Sequence, residues 1–332
     1  MKTDAIVFNG VNEASYEKIE MAPVTATDAI VEVEFSGVSV GTEVWALTGQ
    51  RPPGDTGFPC VPGYQAVGVV KAAGQESALT PGERIFFTKS KLVAPHSVGN
   101  WMGSHVRYAV VDAKENPQEG YWVRVPENVS AEDAALSALG AVAERGLLHV
   151  GVNPGDFCVV VGQGVIGQMS AQVAKIHGAH VVGVDIEDSR LEISAKHSCD
   201  AALNAAQCDI LIELQKMKPG GVDLSIEASG NKKLIPQAIS LIRVQGRVLL
   251  QGWYPGDVSF NFQDAHNRRP TIAATSGMDR ECNQRVMDWL AEGVLKIAPL
   301  ITARFKPQQA QEAYAMMRDK PSDFLGVIFD WR

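Results

Sequence analysis

The sequence predicts an α/β protein in which a doubly wound parallel sheet accompanies a second, β-rich domain. Three observations carry this. The segment Gly162-Gln-Gly-Val-Ile-Gly167 follows the apolar run Val159-Val-Val and opens a helical pattern. From Phe157 to Gln251 strand and helix patterns alternate, which implies parallel strands covered on both faces. Over the first ~120 residues, short apolar runs are separated by Gly, Pro and Asn turns, the texture of an antiparallel, barrel-like domain.

Taken in order, strands are expected at residues 5–8, at Ala29-Ile-Val-Glu-Val-Glu-Phe35 with its strict alternation, and at 66–71, 84–87 and 106–111. The stretch Ser130-Ala-Glu-Asp resembles a capping box and starts an Ala-rich helix through Leu148. Strands then fall at 157–162, 181–185, 224–227 and 247–251, with helices ending at His177 and spanning 189–197 and 232–241. After Gly277 come a helix over 283–290, a strand over 300–305, a helix over 307–317 and a last strand over 326–331. The expected domains are 1–125 with 278–332, and 126–277.

The 332 residues suit two domains. With 45% hydrophobic and 20% charged residues, a disordered or fibrous chain is excluded. The net charge is −8 and no basic run occurs, so nucleic acid is not an expected partner. Cys60, Cys158, Cys199, Cys208 and Cys282 are odd in number and scattered, which suits free thiols in a reducing compartment. The first residues contain Asp4 and no signal-like apolar stretch, and no uncharged run of about 18 apolar residues occurs. A soluble, cytoplasmic chain with no membrane partner is the expectation.

Each glycine of the 162–167 segment has a distinct use. Gly162 makes a tight turn, Gly164 lets backbone approach a pyrophosphate, and Gly167 allows close helix packing. Gln163, Val165 and Ile166 complete the loop and helix start, whose free N–H groups favour phosphate. Asp185 ends the next strand 18 residues beyond Gly167, where a carboxylate would accept from a ribose hydroxyl. With Glu187 and Asp188 beside it, NAD is favoured over NADP. Arg190 either receives a 2′-phosphate or lies at the surface or over the adenine. Ser229, Gly252 and Ser276 sit at the carboxyl ends of later strands, where such sheets bind ligands.

With these motifs the whole chain resembles the medium-chain dehydrogenase/reductase superfamily. The resemblance implies a GroES-like catalytic domain beside a Rossmann domain, and hydride transfer with a nicotinamide cofactor. Zinc-dependent alcohol and polyol dehydrogenases of that superfamily carry G-x-C-G-T-D-x-H; here Gly37-Val-Ser-Val-Gly-Thr-Glu-Val-Trp45 keeps Thr42 but has Val40 for the ligand and Trp45 for the relay histidine. The family's P-G-H-E becomes Pro62-Gly63-Tyr64-Gln65, and the third ligand position falls at Ala138 or its neighbour. No cysteine lies between Cys60 and Cys158, so the structural zinc lobe is missing. Val, Tyr and Ala cannot hold zinc, and no metal is expected. The stretches Ser36–Glu43 and Phe58–Gly68 look most like the zinc-lacking bacteriochlorophyllide dehydrogenase group, which oxidises a hydroxyethyl side chain to acetyl.

Near the former metal position the remaining polar groups are Thr42, Tyr64, Gln65 and Ser39. Tyr64 is the expected acid/base or hydrogen-bonding group, with Thr42 as the partner of the substrate hydroxyl; alternatively, Tyr64 fills the ligand's volume. A tyrosine pKa near ~10 suits donation in carbonyl reduction, and Lys89 or Lys91 is expected to lower it. Trp45, Gln65, Lys89 and Trp101 are the candidate substrate contacts, while His96 and His105 read as structural or solvent-exposed. The run Thr271–Thr275 reads as the last strand, which in the resembling family pairs across a homodimer or here is a covered edge. The leading function is a zinc-independent, NAD-dependent interconversion of a secondary alcohol and a ketone on a small-molecule substrate. An enoyl or quinone reductase and a non-catalytic NAD(H)-binding protein are the competing readings.

Overall fold

The computed structural model describes residues 1–51, 57–96, 102–115, 121–254 and 256–332. The chain forms two compact units, Met1–Ala138 with Ile301–Arg332, and Leu139–Leu300.

The first unit begins with an antiparallel hairpin, β1 (Lys2–Gly10) and β2 (Glu13–Glu20), in register from Lys2↔Glu20 to Phe8↔Ala14. Next come β3 (Asp28–Val38), α1 (Val40–Leu47), β4 (Ala66–Ala73), β5 (Arg84–Phe87), β6 (Tyr108–Asp112), β7 (Trp122–Arg124) and α2 (Ala131–Ala135). The alternation read at 29–35 is realised in β3: Ala29, Val31, Val33 and Phe35 are buried, while Ile30, Glu32 and Glu34 are half-buried. Ser130 caps α2, its Oγ accepting from Asp133 N at 3.1 Å.

The second unit contains most of α3 (Ser137–Val150), then β8 (Phe157–Val161), α4 (Val165–Ile176), β9 (His180–Asp185), α5 (Asp188–His197), β10 (Ala201–Asn204) and α6 (Ile210–Met217). It continues with β11 (Val222–Glu227), α7 (Ile235–Leu241), β12 (Ile242–Leu250), α8 (Phe262–Arg268), β13 (Thr271–Ala274) and α9 (Arg280–Ala291). Its six strands run in the order β10-β9-β8-β11-β12-β13, every neighbouring pair parallel. The order reverses between β8 and β11, so the crevice beyond their carboxyl ends is the switch point at which doubly wound sheets bind nucleotides. Val159, Val161, Val182, Val184 and Val248 fill its core, as expected of strands covered on both faces.

The chain then returns to the first unit as β14 (Ile301–Phe305), α10 (Ala310–Asp319) and β15 (Gly326–Asp330). There the sheet order is β14-β15-β3-β4-β5-β7, with β6 also on β3; all pairs are antiparallel except β14 with β15. Phe8, Val31, Phe87, Trp122, Tyr314 and Phe329 lie in this core.

The unit bounds differ from the expected 125/126 and 277/278. Helix α2 packs on β3 and β4 and so stays with the first unit. Helix α9 belongs to the second, because Arg285 Nε lies 3.2 Å from the buried Glu144 of α3 and Val286 packs over Gly140. Helices α1, α6 and α8 and strands β2, β7 and β10 add to the elements read from sequence. Among the described residues no helix is long and apolar enough to cross a membrane. All five cysteines are free thiols.

Candidate active site

In the second unit the glycine turn is built as its sequence requires. Gly162 has φ +93°, and a Cβ there would lie 2.6 Å from Ser229 N. At Gly167 a Cβ would stand 1.8 Å from the Gly162 carbonyl oxygen, so close packing of α4 on the turn demands glycine. Gly164 differs: its backbone is extended (φ −66°, ψ −179°) and a Cβ would meet nothing within 4 Å. Nothing within the protein therefore demands glycine at this position. Gly164 is also the N-cap of α4 and offers no side-chain cap, leaving the first N–H groups, including those of half-buried Val165 and Ile166, for an anion. These features fit a dinucleotide pyrophosphate.

Asp185 closes the turn from β9. One carboxylate oxygen accepts from Gln163 N at 2.6 Å; the other accepts from Ile186 N at 2.7 Å and Glu187 N at 3.1 Å. Arg190 Nη1 lies 3.8 Å from the first oxygen, and Asp188 turns away to Asn204 Nδ2 at 2.6 Å. The side chain of Gln163 points inward, with Nε2 donating to Val160 O at 2.9 Å and Oε1 accepting from Ser194 Oγ at 2.7 Å. Only its backbone is left to shape the loop.

At the end of β11 lies a group that the sequence did not disclose. Glu227 is buried, accepts from Ser229 N at 3.0 Å and Ser229 Oγ, and accepts from the Tyr254 hydroxyl. Burial pushes its carboxyl up, against the hydrogen bonds from Ser229 and Tyr254. Gly252 N donates to Glu227 O at 3.0 Å, which holds the turn after β12 here, and Ser276 is exposed beyond β13.

In the first unit Ser39, Thr42 and Tyr64 converge. Ser39 Oγ donates to Thr42 Oγ1 at 3.1 Å, and both hydroxyls lie close enough to half-buried Tyr64 to oppose the rise of its phenol. Burial pushes the Tyr64 phenol up to about 12; Glu43 adds to this, while Ser39, Thr42 and Arg51 oppose it. The expectation that a lysine lowers it fails. Lys91 Nζ is 2.7 Å from the buried Asp28, Lys89 stands half-buried past β5, and the charges acting on Tyr64 are Glu43 and Arg51. Trp45 is half-buried on α1. Gln65 is fully buried, and neither of its amide atoms has a partner among the described residues. Trp101 lies outside the described residues.

The aligned zinc positions carry half-buried Val40 at the start of α1, Tyr64, and buried Ala138. This donor set does not fit zinc, and among the described residues no group of three or more His, Cys, Asp or Glu could hold a metal.

Glycine turn, acid-capped second strand and switch point together define a dinucleotide-binding oxidoreductase of the dehydrogenase type. Residues 165–292 match the family described as zinc-binding dehydrogenase, a span that holds none of the three zinc positions above. The chain is 29% identical over 338 residues to 2-desacetyl-2-hydroxyethyl bacteriochlorophyllide A dehydrogenase of Cereibacter sphaeroides, covering 100% of this chain and 99% of the relative. The fold is shared with an Escherichia coli oxidoreductase/dehydrogenase of unknown specificity (TM-score 0.88, 20% identity, 99% of each chain). It is shared also with a Sinorhizobium meliloti 1021 chain solved bound to NADP (TM-score 0.84, 20% identity, 99% of each chain). Along its whole length the chain is thus similar to dehydrogenases of the medium-chain dehydrogenase/reductase type.

Proposed function

We propose that this chain is a zinc-independent, NAD-dependent oxidoreductase that interconverts a secondary alcohol and a ketone. One observation carries the reading: where a catalytic zinc would need ligands, Tyr64 stands in a cluster of three hydroxyls with Ser39 and Thr42. When bound, the nicotinamide cofactor supplies or takes the hydride. The protein's task is then to hold the carbonyl oxygen and manage one proton. With its phenol raised to about 12, Tyr64 stays protonated and donates to a carbonyl oxygen, so the arrangement favours reduction. Thr42 and Ser39 orient the phenol and can replace its proton.

In the second unit the Gly162–Gly167 turn and the α4 N-terminus would hold the pyrophosphate, and Asp185 the adenosine ribose. Asp185 has one acceptor site left on the oxygen that Gln163 N occupies, which suits a hydroxyl and repels a phosphate. NAD is therefore proposed, although the Sinorhizobium chain binds NADP; at 20% identity that likeness concerns the fold. The hydroxyethyl group in the name of the Cereibacter relative falls within the proposed alcohol class.

The test pairs metal analysis with NADH-dependent reduction of a panel of ketones by wild type and Tyr64→Phe. The expected result is no stoichiometric zinc and ketone turnover that collapses in the variant. Enoyl or quinone reduction that Tyr64→Phe leaves intact would establish the competing reductase instead, and NADH binding without turnover of any substrate would establish a non-catalytic protein.

A further inference from the structure

We propose that His105, as its neutral Nε2–H tautomer, is a positioning residue that ties the two segments bearing Tyr64 and Thr42 to an ionised, fully buried Glu43. This rests on the hydroxyl cluster being the reacting site, but its evidence is independent hydrogen-bond accounting. His105, Glu43, Ser36 and Tyr314 are all 0% exposed. Ser36 Oγ lies 2.7 Å from His105 Nδ1 and 2.8 Å from Trp331 Nε1. His105 Nε2 lies 2.9 Å from Glu43 Oε2, which also accepts from the Tyr314 hydroxyl at 2.5 Å. The other Glu43 oxygen accepts from Ser39 N at 2.9 Å.

Only one distribution of protons both uses every contact and gives every proton an acceptor. Indole N–H can only donate, so Ser36 Oγ receives from Trp331. Its own proton then needs an acceptor, and among the described residues His105 Nδ1 is the one within reach. His105 is therefore protonated on Nε2 alone and donates to Glu43. With donors from His105, Tyr314 and Ser39 all aimed at it, Glu43 is a carboxylate. An imidazolium would donate from both nitrogens and strand the Ser36 proton, and a protonated Glu43 would force the same defect. The network thus carries a net negative charge with no cation inside it.

The same histidine joins the catalytic segments mechanically. His105 N donates to Pro62 O at 3.2 Å and Ser104 N to Gly63 O at 3.1 Å, while Ser104 Oγ accepts from Gln65 N at 3.0 Å. Gly63 has φ +89°, and a Cβ there would press within 2.8 Å of the His105 ring. Through Glu43 the histidine also reaches Ser39 at the start of α1, one turn from Thr42. The surroundings are neutral or aromatic. Phe329 meets the ring edge-on at 5.5 Å, and burial pushes Cys60 up to about 12 and Tyr314 upward. Arg51, beyond α1, acts on Tyr64 from outside the network. The fixed Glu43 charge adds to the burial that keeps Tyr64 a proton donor.

The test needs no substrate. On the full chain labelled with 15N-histidine, His105 is identified by the signals lost in His105→Gln. The expected result at neutral pH is one protonated and one bare ring nitrogen. Spectrophotometric titration, with Tyr64→Phe subtracted, should show Tyr64 ionising nearer the ordinary ~10 in Glu43→Gln than in wild type. If turnover is found, His105→Ala should lower kcat at least about tenfold while NADH affinity stays within about twofold. His105→Gln, whose amide can donate to Glu43 and accept from Ser36, should recover most of the loss. A doubly protonated His105 at neutral pH, or a Tyr64 titration that Glu43→Gln leaves in place, overturns the proposal. Absence of turnover would count against the oxidoreductase reading and leave both spectroscopic results standing.

Discussion

Gly164→Ala separates the needs of the fold from those of a ligand. The added methyl would meet no protein atom within 4 Å, and φ −66° with ψ −179° is backbone that alanine adopts freely. Restricting the unfolded chain should then stabilise the protein by about 0.4–1 kcal/mol, raising the melting temperature by roughly 1–4 °C for a unit of this size. The same methyl would occupy the space through which a pyrophosphate is proposed to reach the uncapped end of α4. Losing one charge-assisted hydrogen bond costs about 1.5–3 kcal/mol, or roughly 10- to 150-fold in the dissociation constant. Titration of NADH by calorimetry, beside a thermal melt, reads both quantities on one sample. Weaker binding with equal or higher melting temperature is expected. Unchanged NADH affinity would refute the placement of the phosphates, and a melting temperature lowered by several degrees would refute the claim that the space is open.

Gly167→Ala should behave in the opposite way, since its methyl would lie 1.8 Å from a backbone oxygen; a loss of ~1–3 kcal/mol is expected from chemical denaturation. Tyr64→Phe removes a hydroxyl beside those of Ser39 and Thr42, so ketone reduction should fall by about 10²–10⁴ in kcat, with stability changed by no more than ~1.5 kcal/mol. Because the working form of Tyr64 is the protonated one and its pKa is raised to about 12, reduction should show no loss from this group through pH 10 and decline only as pH rises toward 12. A lower alkaline limb that disappears in Tyr64→Phe would contradict this. Dialysis against a strong chelator should leave turnover unchanged, and activity restored only by added zinc would show the assignment of Val40, Tyr64 and Ala138 to be wrong.

What could be read from sequence was local. The alternation of residues 29–35 has a period that only a half-buried strand satisfies, and the 162–167 segment combines apolar run, glycines and helical spacing within one short window. Helix α1 escaped because Ser39 provides no side-chain cap; its start is held instead by Glu43 reaching back to Ser39 N. The network around His105 joins residues 36, 43, 105, 314 and 331, and nothing local marks such a set. His105 was read as structural or solvent-exposed because a single histidine carries no pattern, and its partners become visible only in three dimensions. Lys91 was mistaken for a neighbour of Tyr64 because loop position was the only guide, whereas its partner Asp28 lies on a strand 63 residues away. Glu227 and Tyr254 likewise meet across 27 residues of intervening chain.

The clamp that Asp185 places on three backbone N–H groups bears on how coenzyme preference can change in this lineage. Replacing the acid with glycine or alanine to admit a 2′-phosphate would also release the N–H groups of Gln163, Ile186 and Glu187, so the nucleotide turn would lose its brace in the same step. A viable route must keep an acceptor at that position, as serine or asparagine would, before Arg190 is recruited to the phosphate. Preference for one coenzyme would thereby be coupled to the integrity of the loop proposed to bind either, and drift between them is expected to require paired rather than single substitutions.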